Sequence, residues 1–368
     1  WNSMISAYVH LGQYKLALGL FYQLQQQGLE PDDVTFLSIL KSCVETRSLK
    51  QGKFIHCYIN ERIPCIAIGN ALIDMYTKCE SFADAFHVFC EMTQPNVISW
   101  TSMMEGLIQN NFSEEALIYF WKMHSENVMP DDVAYVCAMK ACANLAALEL
   151  GKQVHICMVK HGFKPWTFSE NTLIDMYAKC GSMDLACHVF DHMHERDMIS
   201  WSAMVSGFAL HGNAKNALWL VEEMYANGMT LDHVTIVGVL SACSHAGLIE
   251  EGVCHFESMI RNLDLTPTAE HYACMVNMLT RAGRLVEAIN FIHESNCPYS
   301  EETWTSILTA CRSFQEIALA KHVSECLLDV KPGSTAAFVL LSNIYAEAGR
   351  WEERAMVRKA MEERWAEV

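Results

Sequence analysis

The sequence lacks several features that mark common protein classes. Its apolar runs are far shorter than the roughly 20 residues that a membrane-spanning helix needs, so we expect no membrane insertion. No targeting segment is visible, and the chain begins in the middle of a pattern at Trp1. We therefore expect a fragment whose natural start is missing.

Cysteine is abundant, but the spacing typical of metal and redox sites is missing. None of the 16 cysteines belongs to a C-x-x-C pair. They recur instead at matched positions, as Cys79 and Cys180 do, and as Cys43, Cys142 and Cys243 do. This recurrence predicts buried cysteines that act as small hydrophobic residues in a reducing compartment.

Basic residues are few, with 26 Lys and Arg against 43 Asp and Glu, which gives a net charge of −17. Contacts with phosphate depend on Lys and Arg, so this balance taken alone argues against a nucleic-acid partner. Net charge does not report where the charges lie, so basic residues at recurring positions still count.

The patterns of catalytic residues are incomplete. A zinc deaminase needs H-x-E followed by P-C-x-x-C, and 255–257 supplies only the first half. One further group looks like a ligand set: Cys187, His188, His192 and His194. Its histidines 188 and 192 lie on the polar side of a predicted helix whose core side is Val189 and Phe190. No paired carboxylates suggest a hydrolase or nuclease. We expect no catalytic residues, no metal site and no cofactor.

A repeat organises the whole chain. The segment NTLIDMYAKCGSMDLACHVFDHM at 171–193 echoes NALIDMYTKCESFADAFHVFCEM at 70–92. The offset is constant at 101 residues, since Asn70 matches Asn171 and Trp100 matches Trp201. A fixed period over this length is typical of a repeat array.

Three kinds of unit alternate along the chain. Apolar residues spaced by three or four predict two amphipathic helices in each unit, as with Ala17, Leu20 and Leu24. The predicted fold class is all-α, an α-solenoid of stacked helix-turn-helix repeats forming a right-handed superhelix. The predicted units are 1–32, 33–65, 66–96, 97–131, 132–166, 167–197, 198–232, 233–268 and 269–300, followed by two altered helical pairs at 301–334 and 335–368.

The rotation of unit lengths and the phrases VISW (97–100) and MISW (198–201) strongly resemble the pentatricopeptide repeat family. The closest likeness is to its plant subclass in which P-, L- and S-type motifs alternate. ETWTSILTACR (302–312) and FVLLSNIYAEAGRWEE (338–353) look like the paired E motifs of that subclass, here 301–368. The resemblance covers the whole chain.

The resemblance implies a sequence-specific, single-stranded RNA-binding protein that selects cytidines for C-to-U editing in organelles. In this family the fifth and last residues of each P- or S-type motif read one base. Carried over, the base-reading pairs are Asn2 with Asp32, Asn70 with Asn96, Thr101 with Asp131, Asn171 with Asp197, and Ser202 with Asp232. The family also implies a plastid or mitochondrial location.

The chemistry of these pairs supports a base preference. A carboxylate accepts from uracil N3–H or guanine N1–H, and an amide can also donate, which admits cytosine. A small hydroxyl at the fifth position leaves room for a purine, and Asn suits a pyrimidine. The prediction is 5′-U-x-(C/U)-G-x-U-G-3′, read parallel to the chain. The L-type pairs, Leu37 with Cys65 and Val136 with Trp166, are blanks. The alternative for the Asp and Asn residues is helix capping alone.

Three cations recur at one position of the S-type units: Lys78, Lys179 and Arg281. They are candidates for phosphate contacts, and the alternative is solvated helix C-termini that the helix dipole favours. Few cations predict a shallow salt dependence and weak binding by this fragment alone.

The resemblance also implies two kinds of protein partner. Accessory organellar editing factors would dock on the L-type motifs, and a cytidine deaminase would either follow on a removed C-terminal domain or act in trans. The competing hypothesis is an acidic helical-repeat scaffold that binds proteins without direct RNA readout.

Overall fold

The computed structural model describes residues 1–59, 65–163, 166–295 and 299–366, with side chains up to residue 362. Residues 60–64, 164–165, 296–298 and 367–368, which belong to predicted units, lie outside this range. The described residues form 22 α-helices and no strand. None of the described helices has the length and apolar character needed to cross a membrane.

The helices follow one another as antiparallel pairs. They are α1 (Asn2–His10), α2 (Tyr14–Gln26), α3 (Asp33–Glu45), α4 (Leu49–Ile59), α5 (Ile66–Lys78), α6 (Phe82–Glu91), α7 (Val97–Gln109), α8 (Ser113–Ser125), α9 (Asp132–Asn144), α10 (Leu148–Lys160), α11 (Thr167–Lys179), α12 (Met183–His192), α13 (Met198–Leu210), α14 (Ala214–Ala226), α15 (His233–Ala246), α16 (Ile249–Arg261), α17 (Ala269–Arg281), α18 (Leu285–Glu294), α19 (Glu301–Ser313), α20 (Ile317–Val330), α21 (Thr335–Glu347) and α22 (Trp351–Ala366).

The chain divides into two compact units, Trp1–Val189 and Phe190–Val368. In the first, α1, α3, α5, α7, α9 and α11 stack in that order as one layer. The second helices α2, α4, α6, α8 and α10 each pack on their own partner and on the next first helix. The same arrangement holds in the second compact unit for the layer from α13 to α21. Each is therefore a two-layer, all-α solenoid, as the sequence predicts.

Each turn between paired helices contains one residue with a left-handed backbone. Glycine supplies it in one copy of the repeat at Gly181 (φ 84°), whereas Glu80 adopts it in the other copy (φ 59°). Small residues elsewhere allow close packing. A Cβ at Gly151 of α10 would lie 2.6 Å from Met176 Sδ of α11, so this side chain fills the space that glycine leaves.

The cysteines at matched repeat positions lie in the core. Cys43, Cys142 and Cys243 are fully buried, and the 15 described cysteines are all free thiols. Burial raises the pKa of Cys43 and of Cys142 to about 12, so both stay protonated at neutral pH. They pack as small apolar residues.

Candidate nucleic-acid interface

The last-position residues of the five predicted reading pairs are helix N-caps. Each has an extended backbone, with φ between −99° and −92°, and its Oδ1 atom accepts from the backbone N–H three residues later. The five caps are Asp32, Asn96, Asp131, Asp197 and Asp232. Capping uses one side-chain oxygen and holds the side chain at the start of the next unit's first helix. Base reading by the remaining atoms stays a prediction.

Two reading pairs are joined by a direct hydrogen bond. Asn2 Nδ2 donates to Asp32 Oδ2 at 2.6 Å, and Asn70 Nδ2 donates to Asn96 Oδ1 at 3.3 Å. All four side chains are exposed or half-buried. Residues about 30 positions apart in sequence therefore share one small polar site at each junction between repeats.

A third side chain, which the sequence analysis missed, completes each of these sites. Thr35 Oγ1 lies 2.6 Å from Asn2 Oδ1 and 2.8 Å from Asp32 Oδ1, and Ser99 Oγ lies 2.6 Å from Asn70 Oδ1. Both hydroxyls are fully buried. The available signal was a Ser or Thr three residues after the capping Asp or Asn, which is the capping-box spacing.

The remaining fifth-position residues are more deeply buried. Thr101, Asn171 and Ser202 are 7%, 6% and 5% exposed. Thr101 Oγ1 donates to Ile98 O at 3.1 Å, and Ser202 Oγ donates to Ile199 O at 3.0 Å, so each hydroxyl oxygen keeps its acceptor lone pairs.

The pairs in these units are arranged differently. Among the described residues, Thr101 makes no hydrogen bond to Asp131, whose cap partner, Ala134, carries no hydroxyl. Asn171 belongs to the first compact unit and the exposed Asp197 to the second.

Hydrogen bonding keeps the Asp32 carboxyl ionised. The Thr35 backbone N–H, and then its hydroxyl, lower the pKa of the Asp32 carboxyl. The carboxylate is therefore an acceptor at neutral pH.

The three candidate phosphate contacts lie in the last turns of α5, α11 and α17. Lys78 pairs with Asp74 at 3.0 Å, and Lys179 pairs with Asp175 at 2.9 Å. Arg281 is exposed and forms no ion pair within the described ranges. Exposed pairs of this kind stabilise by only about 0–1 kcal/mol, so a phosphate can replace the aspartate. The solvated C-terminal alternative remains open.

In each of the two compact units, exposed apolar side chains stand at the starts of first helices, and we call this set of residues the apolar stripe. In six units the second residue is a large apolar side chain that is 50–60% exposed: Val34, Ile98, Val133, Phe168, Ile199 and Val234. Their apolar character alone would predict that these side chains are buried in the core. The sequence signal for their exposure is their fixed place, two residues after the last residue of the preceding unit. The stripe ends at α15, since the matching residues of α17 and α19 are the exposed Glu270 and Glu302.

A cavity of about 480 Å³ lies at the L-type unit 132–166 and is also lined by residues of the units before and after it. Its lining includes Val133, Val136 and Lys140 of α9, together with Trp166 and Phe168. The Trp166 side chain is 64% exposed, and the Lys140 ammonium lies 5.9 Å from the centre of the Phe168 ring. Val136 and Trp166, the pair that the sequence analysis predicts to be a blank, therefore border an open apolar surface.

Family models match most of the helices that carry these sites. The model described as PPR repeat family matches residues 1–45 and 95–144, and the PPR repeat model matches 70–97, 171–198, 199–229 and 234–262. Together they cover more than half of the sequence. The chain belongs to the pentatricopeptide repeat family. An E motif model matches residues 314–367, so this pentatricopeptide repeat protein carries repeats followed by an E motif.

Curated relatives in Arabidopsis thaliana align along nearly the whole chain. Pentatricopeptide repeat-containing protein CRR2, chloroplastic, is 37% identical over 99% of this chain and 57% of its own length. A mitochondrial pentatricopeptide repeat-containing protein is 37% identical over 99% of this chain and 57% of its own length. The chain spans between 44% and 58% of the length of these and similar relatives.

Solved structures show the same fold. Maize PPR10 matches with a TM-score of 0.70 at 16% identity over 99% of this chain and 58% of its own. PPR10 in complex with an 18-nt psaJ RNA element matches with a TM-score of 0.71 at 17% identity, over 98% of this chain and 60% of its own.

Proposed function

We propose that this pentatricopeptide repeat protein binds single-stranded RNA and reads one base at each P- or S-type repeat. The observation that carries the proposal is the hydrogen-bonded contact between fifth and last residues, such as Asn2 Nδ2 to Asp32 Oδ2 at 2.6 Å. It brings the two side chains that define a base preference into one site. The solved complex of PPR10 with RNA, which shares the fold, supports the same kind of ligand.

The predicted target is 5′-U-x-(C/U)-G-x-U-G-3′. The carboxylates of Asp32 and Asp131 are acceptors for uracil N3–H and guanine N1–H, while Asn96 adds an amide donor. Its Nδ2 group makes no hydrogen bond within the described ranges and remains available to a base.

The exposed apolar stripe would contact RNA bases whatever the RNA sequence is. A base inserted at each junction between repeats would pack against side chains such as Val34 and Ile98, since every base has an apolar face. The stripe ends before Glu270 and Glu302, whose carboxylates repel phosphate. We therefore assign base contact to residues 1–268 and a different role to the helices that follow, with Arg281 of α17 kept as a candidate for a phosphate contact.

The biological role proposed is the selection of cytidines for C-to-U editing in organellar transcripts. The E motif match and the relatives named chloroplastic or mitochondrial support this role. The chemistry would come from a cytidine deaminase, either downstream in the whole protein or recruited in trans.

The test is a titration of the predicted heptamer within a longer single strand, against scrambled strands of equal composition and at several salt concentrations. The proposal expects tighter binding of the matched strand at every salt concentration. Equal binding of matched and scrambled strands would show that the base assignments are wrong.

The cavity at Trp166 favours a second candidate, which is a protein-docking role. An apolar opening of about 480 Å³ with a 64% exposed tryptophan suits an accessory editing factor better than it suits phosphate. Trp166→Ala should then weaken capture of such a factor while leaving RNA binding intact. An acidic scaffold without RNA readout predicts no preference for the heptamer in the titration above.

A further inference from the structure

Two histidines and one cysteine meet on the second helices at the end of the repeat array. His293 lies in the last turn of α18, and His322 and Cys326 lie one turn apart on α20. One candidate ligand atom from each residue lies within 4.8 Å of the other two. We propose that these three side chains bind a transition-metal ion, with Zn²⁺ the best fit, and that the bound ion links α18 to α20.

The distances suit a tetrahedral ion. Zn–N bonds of about 2.0–2.1 Å and Zn–S bonds of about 2.3 Å place neighbouring ligand atoms roughly 3.3–3.7 Å apart. His322 Nε2 lies 3.9 Å from Cys326 Sγ, because residues four apart share one face of a helix. The rings of His293 and His322 have centroids 6.2 Å apart. Both histidines are exposed, so small side-chain rotations close the remaining gap.

The surroundings of the thiol favour a cation. The carboxylates of Asp329 and Glu325 lie close enough to Cys326 to act electrostatically on its sulfur. Binding replaces the S–H bond with an S–metal bond and releases the proton to solvent. The same carboxylates attract a divalent ion. Imidazole and thiolate select Zn²⁺ or Co²⁺ over Mg²⁺ or Ca²⁺, and a water molecule completes the fourth position.

The site joins two functionally different segments. His293 lies in the last predicted repeat, whereas His322 and Cys326 lie in the region that matches the E motif. An ion that binds only the folded arrangement stabilises this junction. The inference is independent of RNA readout, because the site lies on second helices and the reading residues lie on first helices or at their caps.

The chain offers a matched control for the test. Cys90 and His87 are also exposed on a second helix, α6, three residues apart. The full 368-residue chain, reduced and freed of metal, is titrated with Co²⁺, and the thiolate-to-cobalt absorption is recorded, followed by displacement with Zn²⁺. The same titration is repeated with Cys326→Ser, His322→Gln, His293→Gln, Cys90→Ser and His87→Gln.

We expect one equivalent of Co²⁺ with thiolate absorption, and binding weakened at least tenfold by each of the first three substitutions. Cys90→Ser and His87→Gln should bind as the parent does. Zn²⁺ should raise the melting temperature of the parent but not of Cys326→Ser, while the metal-free melting temperatures agree. No saturable thiolate absorption, or its survival in Cys326→Ser, would overturn the site. Unchanged Co²⁺ binding by His293→Gln would contradict the proposal that the ion links α18 to α20.

Discussion

The Oγ atom of Ser99 lies 2.6 Å from Oδ1 of Asn70, a residue 29 positions earlier in the sequence. Ser99 is fully buried, whereas Asn70 is half-buried at the surface of its first helix. The Ser99 hydroxyl therefore fixes the orientation of the Asn70 side chain, which is a base-reading candidate. The Asn70 amide nitrogen is left to donate to Asn96. The hydrogen bond couples the side-chain conformation of one unit to the first turn of the next.

The first prediction concerns this hydroxyl. Ser99→Ala should weaken binding of the matched RNA about threefold to tenfold, because a net hydrogen bond contributes roughly 0.5–1.5 kcal/mol. The measurement is fluorescence anisotropy alongside thermal melting. Ser125→Ala removes an exposed hydroxyl on α8 and should change neither quantity. A lower melting temperature with unchanged RNA affinity would mean that Ser99 only stabilises the helix.

The second prediction concerns the apolar stripe. Phe168→Ala should lower RNA affinity roughly tenfold without changing base preference, since stacking of an aromatic ring on a base contributes about 1–3 kcal/mol. Phe86→Ala is the matched control, because this ring is 51% exposed on α6 while Phe168 is 60% exposed on α11. Equal losses in the two variants would contradict a role for the stripe.

The third prediction concerns the phosphate candidates. Lys179→Ala should weaken binding of all sequences alike and reduce the slope of log K against log salt by about 0.7, the value for one phosphate contact on a single strand. Lys152 forms a similar exposed pair with Glu149 at 2.8 Å, but on the second helix α10. Lys152→Ala should leave the slope unchanged. An unchanged slope for Lys179→Ala favours the solvated C-terminal alternative.

The fourth prediction concerns acid stability. His271 is fully buried, its Nε2–H donates to His233 O at 3.1 Å, and its Nδ1 accepts from Thr268 N–H at 3.1 Å, which requires the neutral ring. Burial lowers the pKa of this imidazole below its ordinary 6.5, so the unfolded chain takes up the proton first. The stabilisation is complete above pH 6.5 and is lost as the pH falls through the folded-state pKa.

Thermal melting between pH 7.5 and 5 checks this sign. The parent should lose stability as the pH falls. His271→Ser puts at this capping-box position the residue that Ser99 supplies in α7, and it should show a smaller loss. The comparison isolates this ring because His124, His155 and His255, whose pKa values are also lowered by burial, are unchanged in both proteins. Identical pH dependence in the two proteins would contradict the assignment.

The helical architecture was predictable because the hydrophobic pattern repeats. Asn70 and Asn171, 101 residues apart, occupy the same position in their helices. In each of the five predicted reading pairs, the last-position Asp or Asn directly precedes the next first helix. Local chemistry is enough for such elements, since capping and spacing act within one turn. The resemblance to pentatricopeptide repeats placed them in a family.

The details of the site depend on packing between units, which no local pattern contains. The buried position of Thr35, which places its hydroxyl near both Asn2 and Asp32, follows from the stacking of α3 on α1. Val34 is 55% exposed and Thr101 only 7% exposed, which is the reverse of what polarity alone suggests. The meeting of His293 with His322 likewise needs two helices from different pairs, although the H-x-x-x-C spacing of His322 and Cys326 was visible.

The most direct test of base reading is Asp131→Asn. Asparagine keeps the cap, as Asn96 does for Ser99 N, so melting should stay within about 0.5 kcal/mol of the parent. The new amide can donate to the bare N1 of adenine, whereas the carboxylate accepts from guanine N1–H. Anisotropy titrations with G or A at the fourth nucleotide should show preference for G in the parent and for A in the variant. The same preference for G in both proteins would contradict the claim that Asp131 reads a base as well as caps a helix.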